Sequence, residues 1–89
     1  LFFSAKQRME ISSLNFQLGE ENRLIAQEQK TLGLSQSLMD GDKALLDQGQ
    51  ASVTDFILAV KNNIDLHHQL NISQVRKLEI INELNYWNW

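Results

Sequence analysis

The sequence predicts an all-α fold, a long antiparallel helical hairpin of the coiled-coil kind, and three observations predict it. Its 89 residues include no proline, so no position inside a helix lacks its N–H. Two segments place apolar residues three, four or seven apart, which keeps one face of a helix occupied. Between them a helix-stop signal and a helix-start signal stand side by side.

The first helix is expected over about residues 3–47. Leu14, Leu18, Ile25, Leu32, Met39 and Leu46 mark its apolar stripe. Gly19, Gly33 and Gly41 weaken it, each by about 1 kcal/mol relative to alanine, and suggest bends or close helix contacts. The turn is expected at about 48–52. There Gly49 can take the left-handed conformation that ends a helix, and Ser52 followed by Asp55 resembles a capping box with Asp in place of Glu or Gln. Asp40-Gly41-Asp42 is a rival turn, but no start signal follows it directly. The second helix is expected over about residues 53–87, with Val53, Phe56, Val60, Ile64, His67, Leu70, Gln74, Leu78, Ile81 and Asn85 as its stripe.

A reversal at 48–52 pairs residues whose numbers add up to about 101. At ~1.5 Å per residue the first arm spans about 68 Å and the second about 50 Å, which leaves roughly the first eleven residues without a partner in the hairpin. The chain is therefore expected to be a piece of a longer protein. Ile57, Leu58, Leu66, Ile72, Ile80 and Leu84 fall off the expected stripe of the second helix. A two-helix hairpin buries one stripe per helix, so apolar residues on several faces call for further neighbours. Those neighbours are expected to be other chains.

Composition narrows the chemistry. There is no cysteine, which excludes disulfides, thiolate metal sites and a Cys nucleophile. A formal charge of −3 with 21% charged residues lacks the basic footprint of a nucleic-acid binder. Asn and Gln together number 17. No apolar run approaches the ~18 residues of a membrane helix.

The individual constellations are weak. His67 and His68 are adjacent and diverge by about 100° on a helix, so they cannot face one ion together. Counting a calcium loop from Asp40 puts Leu45 and Ala51 where Gly and a carboxylate are needed. Asn71-Ile72-Ser73 matches a glycosylation sequon but falls in mid-helix. The terminal Tyr86-Trp87-Asn88-Trp89 suits either an interfacial aromatic belt or packing against further sequence. Nothing resembles a triad, a nucleotide loop or a catalytic carboxylate pair, so no enzyme, catalytic residue, metal site or cofactor is expected. Asp40, Asp42, Asp47 and Asp55 face only Lys43 between residues 40 and 60, so the turn end is acidic.

The stretch Leu45-Leu46-Asp47-Gln48-Gly49-Gln50-Ala51-Ser52-Val53-Thr54-Asp55-Phe56-Ile57-Leu58-Ala59, followed by Asn82-Glu83-Leu84-Asn85-Tyr86, resembles the last helical hairpin of TolC-family outer-membrane efflux proteins. Gly49, Asp55, Ala59 and Leu84-Asn85 stand where that family ends one long helix, turns, and returns. The remaining residues before Leu45 match only as an amide-rich coiled-coil helix. The resemblance implies a trimer with an outer-membrane β-barrel and a periplasmic tunnel of helices, of which this chain is the tip-end portion. It also implies that Gly49, Gln50, Ala51, Ser52, Val53 and Thr54 meet a periplasmic adaptor (membrane fusion) protein, and that Asp55 lies at the pore entrance. Gln48 and Gln50 flank the glycine where the family often has Val and Leu, and Ser52 stands where some members carry a second Asp. The alternative expectation is a cytoplasmic coiled-coil scaffold or adaptor with no transport role.

Overall fold

The computed structural model describes residues 2–88, the side chain of Phe2 excepted. Leu1, that side chain and Trp89 lie outside the described residues. Expectations about the apolar amino terminus therefore bear on Phe3, and those about the aromatic tail on Tyr86, Trp87 and Asn88. Two helices, α1 (Phe2–Asp47) and α2 (Val53–Trp87), pack antiparallel into a rod of 71 × 14 × 14 Å. The described residues contain no strand. Asp40-Gly41-Asp42 runs inside α1, and the chain reverses over residues 48–52.

The face that α1 turns to α2 follows a seven-residue repeat without a break. Ile11, Leu18, Ile25, Leu32, Met39 and Leu46 form one inner column, all buried or half-buried and all apolar. Gln7, Leu14, Glu21, Glu28, Ser35 and Asp42 form the other, and only Leu14 in it is apolar. Alternating steps of four and three are the signature of a coiled-coil seam. The seam is half apolar, half polar.

The inner face of α2 differs from the expected one. It consists of Phe56, Ala59, Asn63, Leu66, Leu70, Ser73, Lys77, Ile80, Leu84 and Trp87; Phe56 and Leu70 of the expected stripe belong to it and Val60 and Ile81 are half-buried at its edge, whereas Val53, Ile64, His67, Gln74, Leu78 and Asn85 are exposed. Leu66, Ile80 and Leu84, expected on other faces, point inward. The cause is the polar column of α1. Asn63 Nδ2 donates to Ser35 Oγ at 3.4 Å, Ser73 Oγ donates to Glu28 Oε1, and Arg76 approaches Glu21 Oε1 at 3.8 Å. The partners in the Ser35–Asn63 and Glu28–Ser73 layers satisfy one another across the seam, and a buried polar group with a partner is tolerated. Counting apolar residues alone therefore favours the wrong, more apolar stripe of α2.

The register also shifts. Asn63 bonds Ser35 and Gln36, and Arg76 meets Glu21, so these paired numbers add up to 97–99, while Ser73 and Glu28 add up to the expected 101. Gln50 N–H bonds back to the Leu45 carbonyl at 2.8 Å, which draws the loop alongside the last turn of α1. Helix α2 then begins level with Leu45. At the open end, Gln7 Nε2 donates to the Trp87 carbonyl, and the Phe3 and Trp87 rings lie 6.2 Å apart. These long side chains give Phe3 and Gln7 partners in the hairpin, contrary to the expected unpaired stretch.

Candidate functional site

Two features are candidates for function, the tip and a groove that runs from it along one side of the rod. At the tip, Gly49 has φ of +70°, a value open to glycine and strained for most other residues. Its N–H bonds the Leu46 carbonyl at 3.0 Å while that of Gln50 bonds Leu45, the paired bonds of a Schellman cap. Three residues later Ser52, in extended conformation, accepts from Asp55 N–H through its Oγ at 3.1 Å and caps α2. Ala51 and Phe56, on either side of the cap, are both half-buried, as in a hydrophobic staple. The reciprocal half of a capping box is missing. Among the described residues the Asp55 carboxylate makes no hydrogen bond to Ser52 N–H, and Asp is one methylene shorter than the Glu that usually closes this pair.

The residues singled out from the sequence therefore separate into two groups. Gln50, Ala51 and Asp55 line one cleft beside the tip, together with Asp42, Leu38, Leu45 and Leu58. Gly49, Ser52, Val53 and Thr54 shape the tip without lining that cleft, and all four are exposed.

Further clefts between the helices open on the same side as Asp55. One is bounded by Leu14, Gln17, Glu20, Glu21, Arg76, Glu79 and Glu83, another by Leu24, Glu28, Gln69, Ile72 and Ser73. Seven of the eleven carboxylates of the chain line this groove face, and Arg76 is the basic side chain among them. The side chain of Glu21 is 13% exposed, and its Oε1 has no hydrogen-bond partner, with Arg76 too distant for more than an ion pair. Such a face attracts cations and repels anions. The individual acids are not clustered into a metal site, because no group of three possible ligands converges among the described residues.

The groove was missed from the sequence, which drew attention only to the acids near the turn. Its signal was present in the seven-residue spacing of Glu21, Glu28 and Asp42 along the polar inner column. His67, His68 and Asn71 are exposed on α2 away from the tip. No described helix is long and apolar enough to cross a membrane. Comparison with family models, characterised proteins and solved structures found no match, so the resemblance to the efflux proteins rests on the hairpin's own residues.

Proposed function

We propose that this hairpin is the tip-end portion of the periplasmic tunnel of a trimeric outer-membrane export channel in a tripartite efflux or secretion system. In this reading the surface from Gly49 to Thr54 meets a periplasmic adaptor protein, and Asp55 stands at the pore entrance. The imbalance of apolar surface carries it. Four large apolar side chains are buried among the described residues and fifteen are exposed, including Phe16, Leu34, Leu38, Ile57, Leu58, Ile64 and Leu78. In a cylinder of packed helices each helix has a neighbour on two sides, which covers stripes that one hairpin leaves in water. The acidic groove supports the same reading, since a wall with one charged, hydrated side suits a passage that water fills.

A cytoplasmic coiled-coil scaffold is the second reading, favoured by the unbroken alternation of four and three along α1. The two separate by location and conductance. In cells making the parent protein, fractionation should place the hairpin with the outer membrane, and the purified assembly should form cation-selective pores in planar bilayers. Asp55→Asn should lower that selectivity and weaken block by multivalent cations. A cytosolic protein without pores would favour the scaffold. Pores with unchanged selectivity would leave Asp55 outside the entrance.

A further inference from the structure

The side of the rod opposite the acidic groove has a different character. On α2 it presents Val53, Ile57, Val60 and Ile64, then His67, Asn71 and Gln74, then Leu78 and Ile81, all at steps of three and four. Val53, Ile57, Ile64 and Leu78 are each about 60% exposed. No Asp, Glu, Lys or Arg occurs in this ridge. Beside it α1 presents small residues seven apart, Ser12, Gly19, Ala26 and Gly33, flanked by Asn15, Asn22, Gln29 and Gln36. A Cβ built on Gly19 or Gly33 would meet nothing within 4 Å, so the surface there is open.

We propose that this side, uncharged along its α2 ridge, is the surface on which a second copy of the chain docks, antiparallel, about a two-fold axis perpendicular to the rod and level with Asn71 and Ala26. Charge selects the face. Pairing two groove faces would bring the acids of one copy against those of the other, and pairing the groove with the ridge would bury carboxylates under Ile and Val. The ridge-to-ridge arrangement avoids both.

The sequence pattern selects the orientation. An antiparallel axis at Asn71 places Ile64 opposite Leu78 and, to within one residue, Val60 opposite Ile81 and His67 opposite Gln74 of the second copy, so apolar meets apolar and polar meets polar. Because cross-hairpin pairs such as Asn63–Ser35 and Arg76–Glu21 add up to 98 and 97, Ala26 is level with Asn71 to within a residue, and the same axis places Gly19 opposite Gly33 and Asn22 opposite Lys30. The Gly19–Gly33 pair on α1 and the Ile64–Leu78 pair on α2 thus share one centre to within a residue. Farther out, Arg8 falls among Asp40, Lys43 and Asp47 of the second copy, where charges of alternating sign flank it. Val53, Ile57, Ile64 and Leu78, each about 60% exposed, supply the apolar area that such a contact would cover. The inference concerns the 89-residue chain and does not rest on the channel reading, in which all tips lie together.

The chain has no cysteine, so single labels can be placed cleanly. With a spin label on Gln50→Cys, electron–electron distance measurement should give tips roughly 60 Å apart, twice the ~1.5 Å rise over the residues between Gln50 and the axis. A distance under about 30 Å, as for tips side by side, would overturn the antiparallel arrangement, and so would the absence of any pairing. Ile64→Lys should weaken association at least tenfold with unchanged helix content, whereas Leu38→Lys on the groove side should leave it intact. Adding Leu78→Glu to Ile64→Lys should restore association, because only the antiparallel register sets those two positions against each other. Failure of that rescue would contradict the register.

Discussion

Gly49 and Ser52 divide the turn between them, and each can be tested singly. Gly49→Val forces a β-branched side chain into a left-handed backbone at φ +70°, and should cost about 1–2 kcal/mol in thermal or denaturant unfolding. Gly49→Asn should cost clearly less, since Asn tolerates that region. Equal losses would show that the cap geometry does not matter. Ser52→Ala removes the Oγ that accepts from Asp55 N–H and should cost about 1 kcal/mol, with Ser52→Asp retaining most of the stability. Asp55→Asn should cost less than Ser52→Ala, because the carboxylate makes no bond to Ser52 N–H and only its charge near the helix start is lost. Residue-scale features of this kind were legible in the sequence. A glycine after an apolar run and a serine three residues before an acid state their roles through local geometry, with no knowledge of the partner helix. What Asp55 shares a cleft with was not legible, since Asp42 and Leu38 reach it only across the hairpin.

At the scale of the helices, existence and length could be read, but the face of α2 and the register could not. Apolar counting ranks Val53, Ile64 and Leu78 above Asn63 and Ser73, yet the latter face inward because α1 offers Ser35 and Glu28 opposite them. Pairwise satisfaction across 28 or 45 residues of sequence is invisible to a periodicity count. The polar layers have a predictable cost. Asn63→Leu combined with Ser35→Ala should raise the melting temperature, because apolar side chains replace a long, 3.4 Å hydrogen bond in a buried layer and neither partner is left buried alone. It should also broaden the distribution of oligomeric states, as the loss of a polar seam residue does in other coiled coils. A lower melting temperature would mean that the Ser35–Asn63 layer is a net source of stability. Glu21→Leu should likewise stabilise the hairpin, since it removes a carboxylate oxygen buried without a hydrogen-bond partner, and a destabilised variant in chemical denaturation would contradict that.

For the molecule as a whole, the balance of surfaces sets its behaviour. A rod 14 Å across has almost no interior, and Leu14, Ile25, Leu70 and Leu84 are its buried apolar side chains. Exposed apolar residues occur both on a groove side rich in carboxylates and on an opposite side without charge along the α2 ridge, so the two sides differ in the partners they accept. The need for neighbours could be read from the sequence, because α2 has more apolar stripes than one helix can cover. The segregation of charge could not, since it emerges only when the register brings Glu20 and Glu21 beside Glu79 and Glu83. The central claim is that the hairpin is built to be covered, and sedimentation equilibrium of the 89-residue chain from micromolar to millimolar concentration tests it most directly. The account predicts a mass that rises with concentration to at least twice that of one chain, at unchanged helix content. A single-chain mass across the whole range would contradict it.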